Sequence, residues 1–301
     1  MSKIEKALNK ARGEHRALPV TMQGAAASEI RVPGTAVVAD RVGHAISVGS
    51  IGRMDASESR LLSAGDLSER GIIHPERLED PVVQAFRELR TRIVQQSRGQ
   101  NGVILVCGVR EGSGSSFVAQ NLAAAFAFEA GKTALVIDCN LKNPSVHRLI
   151  EDASSQGLTD YLENPELDIA EIIRPVGIAR YRVIAAGGQR ELPAEHFTSQ
   201  KMKRLIDSVR LRYGERFIIL DGPPMSDIAD IRTLTELCDY VIVVARYGLA
   251  TNTQIEDCLS AIDDKKLLGI VFNDEPRIPR VPRQKHPWRS GGERDYRGPG
   301  D

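Results

Sequence analysis

From residue 103 onward the chain alternates short, nearly continuous Val/Ile/Leu runs with longer amphipathic stretches, and few architectures can bury such a pattern. The apolar runs fall at 103–107, 134–137, 181–184, 217–220, 240–245 and 268–272. Helix-compatible stretches lie between them at 116–130, 158–163, 199–212, 229–237 and 251–262. A strand that is apolar on both faces has to be covered on both faces. The alternation therefore predicts an α/β domain with a mostly parallel sheet and helices on each side. Sheets of this kind bind ligands beyond the carboxyl ends of their strands.

The polar residues fall at that edge. The first run leads into GVREGSGSS at 108–116, which opens onto an amphipathic stretch at 117–129. Strand, glycine-rich loop and helix in this order form a phosphate loop, whose backbone N–H groups and helix N-terminus cradle an anion. Gly112, Ser113, Gly114, Ser115 and Ser116 are the expected contacts with nucleotide. In such a loop a Lys follows the last glycine and reaches the terminal phosphates; here that position is Ser115. Ser116 holds the place of the metal-binding hydroxyl. Two other strands end in carboxylates, Asp138 and Asp221. Beside a phosphate loop these can hold Mg²⁺ or orient an attacking hydroxyl. A second triplet, GKT at 131–133, looks like the end of a phosphate loop but precedes a strand rather than a helix.

At 301 residues the chain accommodates one substantial domain with flanking segments. Residues 1–16 read as a short helix, 17–66 as a flexible linker rich in Ala, Ser, Gly and Val, and 275–301 as a disordered basic tail. The P-loop domain is expected over 67–274, beginning with a helix at 81–96. Formal net charge is zero, which gives no field for nucleic acid. No apolar run is long enough for a membrane span. The N-terminus reads as lacking a secretory signal. Scattered cysteines without a CxxC pair suggest a reduced, cytoplasmic chain.

The combined pattern resembles the bacterial tyrosine autokinases of capsule and exopolysaccharide synthesis, within the deviant Walker P-loop ATPases. DPVVQAFRELRTRI at 80–93 looks like the oligomer-forming helix, with Gln84, Arg87 and Arg90 at the family's ExxRxxR positions. REGSGSS at 110–116 stands where the Walker A loop lies, and ALVIDCNLKNPSVH at 134–147 is similar to the second aspartate motif. FIILDGPPMSDIAD at 217–230 resembles Walker B with its later aspartate, Asp230. LGIVFND at 268–274 resembles the strand whose asparagine, here Asn273, contacts adenine. The opening SKIEKALNKAR at 2–12 is similar to the N-termini of such kinases. The resemblance implies ATP or ADP with Mg²⁺ as cofactors and Asp138 and Asp221 as catalytic residues. It also implies a homo-oligomer and a membrane polysaccharide co-polymerase or chain-length protein as partner, which would hold the chain at the inner membrane.

Departures from the pattern gather in the catalytic parts: Ser115 for Lys, Asn140 for the second acid of DxD, Lys142 for Arg and Gln84 for Glu. In place of a tyrosine cluster the tail has Tyr296, the one candidate phosphoacceptor there. Arg110, two residues before Gly112, occupies the signature-lysine position of deviant Walker loops and is a candidate phosphate contact. Three functions stay open: an ATP-dependent tyrosine autokinase weakened at Walker A, a non-catalytic nucleotide-binding or regulatory adaptor of polysaccharide assembly that binds nucleotide weakly or not at all, and a partitioning ATPase. The SKIEKAL and FRELRT segments argue against the last.

Overall fold

The computed structural model of the protein describes residues 61–151, 156–212 and 215–274. The expected helix at 1–16, most of the expected linker and the tail with Tyr296 lie outside the described residues. Seven strands form one sheet in the order β3-β4-β2-β5-β1-β6-β7. They are β1 Val103–Gly108, β2 Thr133–Asp138, β3 Arg174–Pro175, β4 Tyr181–Ile184, β5 Arg216–Asp221, β6 Tyr240–Arg246 and β7 Leu267–Asn273. Every pairing is parallel except β3 with β4, which is antiparallel. The expected mostly parallel α/β sheet is what the chain forms.

Eight α-helices cover it among the described residues: α1 Ala64–Glu69, α2 Pro81–Gln96, α3 Ser115–Ala127, α4 Leu158–Glu163, α5 Pro193–Phe197, α6 Gln200–Arg212, α7 Ile228–Leu237 and α8 Asn252–Ser260. Alternation along each strand divides the core in two. Leu105 and Cys107 pack with α6, α7 and α8 on one face, while Ile104 and Val106 pack with α1, α2 and α3 on the other. Helix α3 is buried on nearly all sides because α2 lies over its outer face, which suits its Ala-rich sequence. Phe126 of α3 stacks on Phe217 of β5, with centroids 3.9 Å apart.

Some elements differ from the expectation. The linker boundary at 66 falls inside α1, whose N-terminus is a capping box: Ser63 N donates to Asp66 Oδ2 (2.9 Å) and Asp66 N to Ser63 Oγ (3.2 Å). Leu62 and Leu67 are buried there, so the core begins before residue 66. Helix α3 stops at Ala127 rather than 130, where Phe128 caps it ahead of Gly131 at φ 83°. Strand β3 and helix α5 escape sequence reading because two to five residues carry no measurable periodicity. Asn121, fully buried on α3, accepts from Ile73 N (2.7 Å) and donates to Gly71 O (3.0 Å), locking the segment between α1 and α2 to α3.

Candidate functional site

The loop turns back sharply over the end of β1. A Cβ on Gly108 would sit 2.9 Å from both Arg110 O and Ser113 Cβ. Gly112 (φ 78°) and Gly114 (φ 84°) adopt the left-handed conformation that glycine takes without strain. A Cβ on Gly114 would strike the side-chain amide of Asn273. Inside the turn Ser113 N donates to Arg110 O (3.2 Å), and Arg110 N to Ser113 Oγ (3.2 Å). Helix α3 then begins at Ser115 with Gly114 as N-cap and no side-chain cap. Helices α2 and α8, by contrast, are capped by Asp80 and Thr251. The first-turn amides of α3 and the positive end of its dipole are therefore left for an anion.

Beneath this helix end stand two buried carboxylates. Asp138 and Asp221 are direct partners in the β2/β5 register and both are fully buried. They are held differently. Asp138 accepts three backbone N–H groups: Asn140 on Oδ1 (3.1 Å), and Ser145 and Val146 on Oδ2 (2.9 Å each). A carboxylate offers about four lone-pair sites, so Asp138 retains little capacity for another ligand. Asp221 accepts hydroxyls instead: Ser116 Oγ on Oδ1 (3.1 Å) and Ser145 Oγ on Oδ2 (3.4 Å). Burial pushes the Asp138 carboxyl up to about 6 against the pull of its three amides. Burial, and then the charge of Asp138, raise Asp221 well above the carboxylate range, with both hydroxyls opposing. Two adjacent buried acids raised in this way suit a site completed by a cation. Among the described residues no three His, Cys, Asp or Glu side chains converge as a ready-made metal cage. Mg²⁺ needs only one or two carboxylates alongside phosphate oxygens and waters.

The fold brings Gly112, Ser113, Gly114, Ser115, Ser116, Asp138 and Asp221 together at one sheet edge. Ser115 is half-buried at the first position of α3 and brings no charge. Asn273 ends β7 beside the loop, and its Nδ2 donates to Ser113 O (3.1 Å), so its amide is engaged with the loop itself. The exposed Arg110 directs its guanidinium to Leu249 O (3.3 Å), along the β6–α8 connection. Lys142 pairs with Asp227 (3.2 Å) and Asp230 (3.6 Å) and so clasps the loop after β2 to the start of α7.

The three residues at the oligomer-motif positions separate into two settings. Gln84 donates to Leu78 O, and Arg87 reaches Gln84 Oε1 (3.5 Å) on the open face of α2. Arg90 turns inward, donating to Ala125 O (3.1 Å) and pairing with Glu129 (3.6 Å). It thus supports the end of α3.

Sequence reading missed Ser145 and Gln120. Gln120 Nε2 donates to Ser145 Oγ (3.1 Å), which continues to Asp221. Neither follows a strand directly, so the strand-end signal could not find them.

No family model matches the chain. It is 29% identical over 197 residues to the tyrosine-protein kinase wzc of Salmonella typhi, covering 64% of this chain and 27% of that protein. It is 30% identical over 199 residues to the putative tyrosine-protein kinase EpsB of Ralstonia solanacearum, covering 65% and 26%. The chain thus spans about a quarter of the length of these curated relatives. Among solved structures, the kinase domain of Escherichia coli tyrosine kinase ETK superposes with a TM-score of 0.64 at 23% identity, over 75% of this chain and 86% of that domain. The chimerical protein CapA2B2 gives 0.63 at 24%, over 73% and 94%. These structures share the fold; the sequence relatives and the loop–carboxylate geometry supply the rest. The chain is similar in sequence to bacterial tyrosine-protein kinases and shares the fold of their kinase domains, and its phosphate loop has Ser115 where a lysine is expected.

Proposed function

We propose that this chain is a nucleotide-binding, kinase-like protein of an exopolysaccharide or capsule system that transfers phosphoryl groups to tyrosine slowly, because Ser115 stands where the phosphate-contacting lysine belongs. The observation that supports this best is the Ser116–Asp221–Asp138 cluster directly under the uncapped start of α3. Gly112, Ser113, Gly114 and the first amides of α3 would hold the phosphates of ATP or ADP. Ser116 and Asp221 would face Mg²⁺. When bound, the magnesium nucleotide supplies the electrophilic γ-phosphoryl group. Asp138 keeps the loop at 140–146 closed through its three amide bonds and presents its charge to an incoming tyrosine hydroxyl. Phosphoryl transfer depends mainly on position and charge neutralisation, and removal of one preorganised donor commonly costs about 10²–10³ in rate.

A second reading, a non-catalytic adaptor that binds nucleotide, draws its support from the same Ser115. In either reading the chain works at the cytoplasmic face beside a membrane co-polymerase and as a homo-oligomer, as the family likeness suggests. Among the described residues no helix is long and apolar enough to cross a membrane. The deciding experiment incubates the purified full chain with radiolabelled ATP and Mg²⁺, beside Ser115→Lys and Asp221→Asn, with a parallel nucleotide titration. Tyrosine label in the wild type that vanishes in Asp221→Asn upholds slow transfer. Label gained only in Ser115→Lys favours the adaptor. Absence of nucleotide binding in both wild type and Ser115→Lys overturns both readings.

A further inference from the structure

Helix α3 carries two buried amides among apolar neighbours, Gln120 and Asn121. A buried amide costs stability unless it is hydrogen-bonded. Asn121 meets this need by holding the segment before α2. Gln120 instead reaches the carboxyl edge of the sheet, where its Nε2 donates to Ser145 Oγ (3.1 Å). Ser116 and Gln120 are four residues apart on α3, so one face of the helix presents both to that edge.

The two meet Asp221 by different routes. Ser116 Oγ donates directly to Oδ1 (3.1 Å). Gln120 acts through Ser145, whose Oγ donates to Oδ2 (3.4 Å). An amide N–H can only donate, so the Ser145 oxygen accepts from Gln120 and its single proton is left for Asp221. The direction of the chain of bonds is thereby fixed, from Gln120 through Ser145 to Asp221. The backbone of Ser145 is anchored in turn, its N–H donating to Asp138 Oδ2 (2.9 Å). At 3.4 Å the last link is longer than an ordinary O–H···O bond, so it orients the carboxylate without saturating Oδ2. Both oxygens of Asp221 are thus addressed from α3, one directly and one through Ser145.

We infer that Gln120 and Ser145 are positioning residues for Asp221, holding its carboxylate turned with Oδ1 toward Ser116, where the cation of a bound nucleotide would be met. This role presupposes the nucleotide reading given above. Hydrogen-bonded partners of a metal-ligating carboxylate commonly contribute about 10- to 100-fold in metal affinity.

The test is calorimetric titration of the full chain with ADP, once in Mg²⁺ and once in EDTA, with melting curves recorded without ligand. The ratio of the two Kd values measures what the cation adds. In Ser145→Ala that ratio should fall at least about tenfold, while the Kd in EDTA stays at the wild-type value. Gln120→Met, which keeps the volume without the donor, should lose part of the ratio. The double variant Gln120→Met/Ser145→Ala should be no worse than Ser145→Ala, because Gln120 acts through Ser145. Ser145→Thr, which keeps the hydroxyl, should recover most of the loss. A folded Ser145→Ala that keeps the full ratio overturns the positioning role and leaves the nucleotide reading standing. So does an equal loss of affinity in Mg²⁺ and EDTA, which marks a merely structural serine, and so do losses that multiply in the double variant. If Ser145→Ala does not fold, an unchanged ratio in Gln120→Met overturns the role by itself. A wild type that binds no ADP in either condition removes the nucleotide reading, and the positioning role with it.

Discussion

The two ends of the sheet solve opposite electrostatic problems. At the carboxyl edge the positive field comes from backbone: the uncapped start of α3 and the left-handed turns at Gly112 and Gly114. The side chains below it are acids, Asp138 and Asp221. At the amino edge the charge is carried by side chains: Lys132, Arg210 and Arg216 line a recess, with Arg210 paired to Asp239. A backbone site is fixed by topology and persists when a side chain changes, whereas a side-chain site depends on each residue that forms it. This is why the loop at 108–116 keeps the shape of a phosphate cradle although its lysine position is Ser115.

Restoring the cation at the carboxyl edge should produce the largest change. Ser115→Lys is expected to raise phosphoryl transfer by about 10²–10³, equivalent to about 3–4 kcal/mol in the barrier, as read by initial-rate labelling. An unchanged rate would show that Arg110 or another cation already does this work.

Next comes the contrast between the two acids. Asp138→Ala leaves three buried or half-buried amides without acceptors and should destabilise the fold by about 2–4 kcal/mol in urea unfolding. Asp221→Asn keeps an acceptor for a hydroxyl and removes a buried charge, so its stability should match or exceed that of the wild type while Mg²⁺-dependent nucleotide binding is lost. Equal destabilisation by the two would break the distinction between an anchoring and a ligating carboxylate.

Gly114→Ala tests the backbone cradle. The left-handed φ of 84° and the Asn273 amide both oppose a Cβ, so a loss of about 1–3 kcal/mol in stability is expected. Nucleotide affinity should fall with it.

The smallest effect is in pH. The folded carboxyl of Asp138 is raised to about 6, and Asp221 is raised with it. Between the ordinary carboxylate range and those folded values the native state binds more protons than the unfolded chain. The contribution of these groups to stability is then greatest at low pH and falls as pH rises through this window. Bound Mg²⁺ favours the ionised forms, so stabilisation by ADP with Mg²⁺ should be larger at pH 8 than at pH 5. The difference is expected to be about 2–4 °C in Tm by thermal melting with and without ligand. A smaller shift at pH 8 would show that Asp221 does not meet the metal.

Much of the frame was legible because it is written in runs. Strands β1, β2, β4, β5, β6 and β7 each have at least four residues of strand, mostly apolar. The loop and both aspartates follow such strands directly, so position along the chain revealed position at the edge. The S-x-x-D pattern at 63–66 was a readable helix start that the composition of its surroundings obscured. Strand β3 lacked the length for any pattern.

By itself the sequence determined the sheet, the phosphate cradle, the pair of strand-end acids and the missing lysine, because each is a local order of residue types. Only the tertiary structure decided how those parts are used. It tied Asp138 to amides and Asp221 to hydroxyls, turned Arg90 under α3 and Asn273 onto Ser113. It also gathered Lys132, Arg210 and Arg216 around one recess. Apart from Asn140, two residues from Asp138, the partners in these contacts lie from 7 to 160 residues apart in the chain. The packing of whole elements sets such distances, and no local pattern encodes them.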